Sequence, residues 1–218
     1  RKIKAAEEKR QLSKNVELQK ELKILPLVFH SDPVAELRNV SVDYGTGQAV
    51  CSGVSFSIRQ GERIALKGKN GSGKSSILKL ICGEDISHSG ELRINRQLII
   101  SSVPQSGDFL KGTLREYARS RGIEESLLKS GLRKMGFSRE QFDQNMENFS
   151  SGQKKKVLIT ASLCERAHLY VWDEPLNFVD VYARMQIEDL LLTYQPTMIF
   201  VEHDRAFTEQ VATSVVEL

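Results

Sequence analysis

Gly68-Lys69-Asn70-Gly71-Ser72-Gly73-Lys74-Ser75 follows a short apolar run, 63–67, and leads into a stretch of helical composition, 75–82. A G-x-x-x-x-G-K-S segment between a strand and a helix fixes a strand–loop–helix unit, and with it an α/β architecture. The residue types are dictated by the work of such a loop. Glycines let the backbone wrap so that successive N–H groups point inward, and the helix start adds partial positive charge, which together cradle phosphate. Lys74 is placed to reach the β- and γ-phosphates of a nucleotide, and the Ser75 hydroxyl to hold Mg2+. Ser76 continues the same helix start. A chance Gly-rich turn would match the pattern without a strand before it and a helix after it.

The remaining pattern supports this architecture. Segments 98–103, 168–172 and 197–201 are apolar runs without alternation, separated by helical stretches at 151–165 and 182–192. Continuous apolar strands alternating with helices indicate a parallel sheet buried on both faces. Segments 35–44 and 53–59 alternate instead, as strands of an antiparallel sheet do. Residues 113–148 are helical in composition, with breaks expected near Gly122, Gly131 and Gly136. The expected fold class is therefore α/β, with a mostly parallel core sheet, an antiparallel β subdomain and a helical subdomain.

The strand 168–172 ends in Asp173-Glu174-Pro175. Acids at the C-terminal edge of a parallel sheet lie beside the phosphate loop, where ligands bind in open α/β folds. Asp173 is expected to orient Mg2+ and its waters, and Glu174 to act as general base on the attacking water.

Residues 1–25 differ from the rest. They carry eight basic and four acidic side chains in a chain of net charge +3, so the remainder is slightly acidic. They hold no Gly or Pro, and Leu18, Leu22 and Leu25 recur at helical spacing, so a charged helix ending at Pro26 is expected. This divides the chain into a linker helix and turn, 1–33, and a nucleotide-binding domain, 34–218. The chain begins at Arg1 without an apolar leader, as a piece of a longer protein would, and has no run of about 18 apolar residues to span a membrane. Cys51, Cys82 and Cys164 lack metal-ligand spacing and read as reduced, mostly buried thiols of a cytoplasmic protein. Lys154-Lys155-Lys156 reads as a solvated helix face. His30, His88 and His168 have no context that assigns them a role.

Further segments, taken with the phosphate loop and the acidic pair, resemble the ATP-binding domains of the ABC ATPases over residues 34–218. Phe149-Ser150-Ser151-Gly152-Gln153 is similar to the family signature L-S-G-G-Q, departing at Phe149 and Ser151. Gln105 resembles the Q-loop glutamine that touches Mg2+, Asp180 the D-loop aspartate, and His203 the switch histidine of the γ-phosphate. Tyr44 resembles the aromatic that stacks on adenine. The resemblance implies ATP and Mg2+ as ligands, ATP hydrolysis, and a second ABC domain as partner. Ser150, Ser151, Gly152 and Gln153 would then act on the nucleotide held by that partner, so the isolated domain is expected to hydrolyse ATP weakly.

Leu176-Asn177-Phe178-Val179-Asp180 keeps the Asn of the ABC-F pattern T-N-H-L-D. Together with Phe149-Ser150-Ser151-Gly152-Gln153-Lys154-Lys155-Lys156 it resembles the second domain of ABC-F proteins of the ribosome-protecting, antibiotic-resistance branch, and the basic helix, which suits phosphate-rich RNA, resembles the second arm of the linker that joins their two domains. That implies a ribosomal partner reached through the linker. The alternative is the ATP-binding subunit of a membrane transporter, in which the N-terminal helix has no usual place. A DNA-repair ABC ATPase fits less well, because those divide their halves around a very long coiled coil.

Overall fold

The computed structural model describes residues 22–45 and 47–218. The expected linker helix lies outside the described residues up to residue 21. Its last turn, residues 22–25, is not helical: Leu22 and Ile24 are buried while Lys23 and Leu25 are exposed, an alternation of period two. The segment beyond it is tied down by the Leu27 N–H, which donates to the Ala167 carbonyl at 2.8 Å. Leu22 packs on the helical part of the domain, so the leucine spacing that suggests a helix serves an extended strap there.

Strands β1 (Ala35–Val42), β2 (Cys51–Ile58) and β4 (His88–Ile94) form an antiparallel sheet in the order β2-β1-β4. Strand β3 (Arg63–Lys67) enters the second sheet and is followed by α1 (Lys74–Ile81). That sheet is completed by β5 (Ile100–Val103), β6 (Leu169–Asp173), β7 (Met198–Val201) and β8 (Ser214–Glu217), in the order β5-β6-β7-β3-β8, all parallel. Between β5 and β6 run α2 (Leu114–Ser120), α3 (Glu125–Lys134), two 3-10 turns at Glu140–Asp143 and Met146–Asn148, and α4 (Ser151–Cys164). Helices α5 (Val181–Tyr194) and α6 (Arg205–Val211) flank β7.

Every residue of β6 and β7 is buried, because both faces of the sheet are covered. Ala65, Tyr170, Trp172, Met198 and Phe200 enter one hydrophobic core, while Ile64, Leu66, Leu169, Val171, Ile199 and Val201 enter the other. This two-sided burial is why the strands read as continuous apolar runs rather than alternations.

The expected break at Gly131 does not occur; Gly131 lies inside α3. A Cβ there would come within 2.5 Å of Thr160 Cγ2 and 3.1 Å of Leu22 Cδ2. The glycine marks a close approach of α3 to α4 and not a helix end. The breaks near Gly122 and Gly136 fall between elements as expected. All three cysteines are free, but only Cys51 is buried; Cys164 is half-buried, and Cys82 is exposed at the C-terminal end of α1. His168 accepts a hydrogen bond from the Ile99 N–H on Nδ1 at 2.9 Å and packs edge-on against Phe29, a structural role.

Candidate functional site

The sheet order decides which residues meet at its C-terminal edge. Strand β7 lies between β3 and β6, and β5 lies beyond β6. The chain segments leaving these four strands carry, across the edge, Gln105, then Asp173 and Glu174, then His203, then the loop from Gly68 to Gly73. A cavity of about 500 Å³ opens there, and its walls join Asn70, Gly71, Gly73, Lys74, Ser75 and Ser76 with Gln105, Glu174 and His203.

Gly73 precedes α1 in a left-handed conformation, φ 90°, which glycine adopts without steric cost. A Cβ at this position would also lie 2.8 Å from Cys51 Cβ. The loop thus turns where only glycine fits and delivers Lys74 as the first helical residue. Lys74 is buried, and its Nζ donates to the carbonyls of Gly68 at 2.9 Å and Lys69 at 2.8 Å. The ammonium spans its own loop. Ser72 Oγ is buried without a hydrogen-bond partner, a cost of about 1–3 kcal/mol for a group that a bound acceptor or water would satisfy.

Asp173 ends β6 almost fully buried, and its Oδ1 has no partner. Burial pushes its carboxyl above the ordinary carboxylate range, against the hydrogen bond with Ser75 that pulls it down. An orphaned, buried carboxylate oxygen beside a serine hydroxyl is a pair of hard oxygen donors, which fits Mg2+. Gln105 hydrogen-bonds Glu174.

Glu174 is the hub of the site. Its backbone is in the left-handed region, φ 46°, uncommon for a residue with a Cβ, and its N–H donates to the Val201 carbonyl at 2.9 Å. His203 Nε2 lies 3.3 Å from Glu174 Oε1, and Asn177 Nδ2 donates to Oε2 at 2.6 Å. Burial pushes the Glu174 carboxyl up, but the bonds from Gln105, His203 and Asn177 outweigh it and hold the group below its ordinary range. The carboxylate is therefore ionised at neutral pH, as a base must be. The contact from Asn177 was not legible in the sequence, although Asn177 stands three residues after Glu174 within one turn.

Tyr44 stands at the rim of the site and not in its wall. Its hydroxyl shares a 2.8 Å hydrogen bond with Ser76 Oγ, and its ring is half exposed.

Ser150, Ser151, Gly152 and Gln153 lie outside this cavity, at the N-terminal end of α4. Ser150 caps the helix: its Oγ accepts from the Gln153 N–H at 3.2 Å, and Gln153 Oε1 accepts from the Ser150 N–H at 2.8 Å. This reciprocal cap leaves the hydroxyl proton of Ser150 free to donate outward. Phe149 is buried edge-on against Phe137, ring centroids 5.5 Å apart, so its departure from leucine is a matter of packing. Gly152 permits a close approach of two backbones: a Cβ there would collide with the Phe178 carbonyl oxygen.

The run Lys154-Lys155-Lys156 is not a solvated face. Lys155 is buried, and burial lowers its ammonium to about 8 against the attraction of Asp173, Glu174 and Glu202. Lys156 pairs with Asp180, which caps α5 through its Oδ1 and the Ala183 N–H at 3.0 Å. Hydrogen bonding to Lys156 holds the Asp180 carboxyl below its ordinary range. Lys155 shares a helix face with Leu158, Ile159 and Ser162, all buried, and that spacing is the signal that could have revealed it.

The family described as ABC transporter matches residues 51–177, more than half of the chain. The chain is similar to the ATP-binding protein Uup of Caulobacter vibrioides, 29% identical over 85% of this chain and 32% of that protein. It is similar to the ribosome protection protein VmlR of Bacillus subtilis, 28% identical over 82% of this chain and 33% of that one. It is also similar to ABC transporter F family member 5 of Arabidopsis thaliana, 28% identical over 82% of this chain and 27% of that one. The chain thus spans a third or less of the length of these relatives. Among solved structures it is similar to one titled as the ATP binding subunit of an ABC transporter, with 27% identity, a TM-score of 0.72 and 85% of each chain covered.

Proposed function

Because this chain belongs to the ABC transporter family, we propose that it binds ATP and hydrolyses it as one half of a pair of ABC domains, within a cytoplasmic ABC-F protein that acts on the ribosome. The observation that carries the hydrolytic reading is the ionised Glu174 carboxylate, held by Gln105, His203 and Asn177 across a cavity from the phosphate loop.

In this reading the loop from Gly68 to Ser76 binds the phosphates through its N–H groups, with Lys74 moving from its own carbonyls onto phosphate oxygens. Ser75 and Asp173, joined by Gln105, would hold Mg2+, which when bound neutralises charge between the β- and γ-phosphates. Glu174 orients a water and takes its proton at a carboxylate oxygen. His203 donates toward the γ-phosphate from the neighbouring strand end. Tyr44 stacks on the base. Ser150, Ser151, Gly152 and Gln153 serve the nucleotide of the partner domain, with Asp180 between the two sites, so the domain alone turns over slowly.

The test uses two substitutions. Lys74→Met is expected to abolish ATP binding, and Glu174→Gln to preserve binding while stopping turnover. Full turnover by Glu174→Gln would overturn the hydrolytic reading.

The ribosomal reading rests on the ABC-F relatives, one of which is named for ribosome protection. The solved ATP binding subunit of an ABC transporter favours the second reading, a subunit that docks on a membrane partner. No described helix is long and apolar enough to cross a membrane. Sedimentation of the intact Glu174→Gln protein with ribosomes in ATP separates the two; its absence would sink the first. Antibiotic resistance is supported only if such binding also raises drug tolerance in cells.

A further inference from the structure

Two buried ions lie behind the cavity, and their hydrogen bonds go to main chain. Lys155 Nζ donates to the carbonyls of Pro104 at 2.9 Å and Asp173 at 3.2 Å. Glu202 Oε1 accepts from the N–H groups of His203 at 2.7 Å and Asp204 at 3.2 Å, and its Oε2 from that of Leu176 at 3.0 Å. Both side chains are more than nine-tenths buried.

The sequence positions of these partners give the arrangement its meaning. Pro104 precedes Gln105, Asp173 precedes Glu174, and Leu176 comes two residues after Glu174. Glu202 itself precedes His203. Each of the three loops whose side chains meet at Glu174 is thus fastened from behind by Lys155, Glu202 or both. We propose that Lys155 and Glu202 are positioning residues that set the relative placement of Gln105, Glu174 and His203 by clamping the main chain of their three loops. The inference rests on the reading of Glu174 as the base but assigns roles to two residues outside it.

A stability role accounts less well for this geometry. Taking an ammonium and a carboxylate out of water is costly, and well-packed apolar residues of similar volume often serve stability as well or better. The two ions supply direction instead. A carboxylate accepting three N–H groups holds two turns in one register, and charge-assisted bonds hold more tightly than neutral ones. Hydrolysis is sensitive to that register, since a misplacement of about 1 Å can cost on the order of 100-fold in rate.

The experiment measures steady-state hydrolysis and equilibrium ATP binding on the intact protein that carries this chain. Glu202→Gln keeps the shape but sets an NH2 group against one of the main-chain donors. Lys155→Met removes the donors, and Lys155→Gln keeps two of them. The clamp predicts that Glu202→Gln and Lys155→Met stay folded at the assay temperature, with Tm lowered by the main-chain groups left unsatisfied, and bind ATP within about 2-fold of the parent, with kcat reduced by about 10-fold or more and KM unmoved. Lys155→Gln should retain more turnover than Lys155→Met. Parent-like kcat in folded variants would overturn the proposal, as would a loss of ATP binding in step with rate. Glu174→Gln run in parallel separates the two readings: if it is inactive while Glu202→Gln is fully active, the clamp falls and the base stands. If Glu174→Gln is active, the base itself falls.

Discussion

The side-chain amide of Asn177 donates to Glu174 Oε2 at 2.6 Å, and this bond joins the first residue of the loop after β6 to the fourth. It is one of three bonds that keep the Glu174 carboxyl below its ordinary range despite burial. A general base fails when it is protonated, so the acid limb of kcat tracks this carboxyl. Removing Asn177 takes away one stabiliser of the charged form while burial remains. Asn177→Ala is therefore expected to move the acid limb of the kcat–pH profile to higher pH, leaving the rate above neutral pH less affected. A limb that stays in place or moves to lower pH would show that the bond does not tune the base.

Much of the site was legible because strands buried on both faces announce themselves. Continuous apolar runs located β3, β6 and β7, and each run leads directly into a site segment: the phosphate loop, Asp173 and Glu174, and His203. Strand β4 was not legible, since no residue in it is fully buried and only Leu92 and Ile94, half-buried on either side of the exposed Arg93, alternate at its end. The short α6 buries Phe207, Thr208 and Val211, and the burial of the edge strand β8 alternates, but seven and four residues are too few to establish a period. Lys155 hid inside a run of like charges, where composition suggests solvent and only the helix face reveals burial. The N-terminal leucines misled at residues 22–25, because three or four residues cannot separate a helical spacing from an extended one.

Lys156 and Asp180 form an ion pair that ties α4 to the start of α5, next to the Asp180 helix cap. The Asp180 side chain is half exposed, so the coupling in a double-mutant cycle of Lys156→Ala and Asp180→Asn should be about 0.5–1 kcal/mol. Asparagine keeps the cap, while Asp180→Ala loses it and should cost about 1 kcal/mol more. The Asp180 carboxyl is depressed in the folded state, so the pair stabilises above the unfolded carboxylate value and the contribution disappears as pH falls through the folded one. The difference in Tm between parent and Asp180→Asn should narrow in acid; a difference independent of pH would refute the electrostatic account.

Phe149 stands where the family signature has leucine, and its ring fills a buried site against Phe137. Phe149→Ala should cost about 3–5 kcal/mol through the cavity it leaves. Phe149→Leu should cost on the order of 1 kcal/mol, with hydrolysis in the paired domains unchanged because Ser150 keeps its cap. Denaturant unfolding monitored through Trp172, the single tryptophan, measures both. A large kinetic effect of Phe149→Leu at full stability would instead make the residue part of the signature's chemistry.

Gly131 offers the clearest case of a close approach that overrides local preference. In a solvent-exposed helix, Gly→Ala stabilises by up to about 1 kcal/mol. Here the new Cβ would fall 2.5 Å from Thr160 Cγ2, on a side chain that is fully buried. Overpacking of this kind costs about 1–3 kcal/mol, so Gly131→Ala should destabilise. The Thr160→Ser substitution removes the methyl group in conflict and by itself costs about 1 kcal/mol of lost burial. In the double variant the same methyl is absent and the alanine occupies its place, so the two costs should not add; the coupling should be favourable by about 1 kcal/mol. Strict additivity in denaturant midpoints would mean that the steric conflict relaxes elsewhere, through Leu22, whose Cδ2 lies 3.1 Å from the same Cβ position.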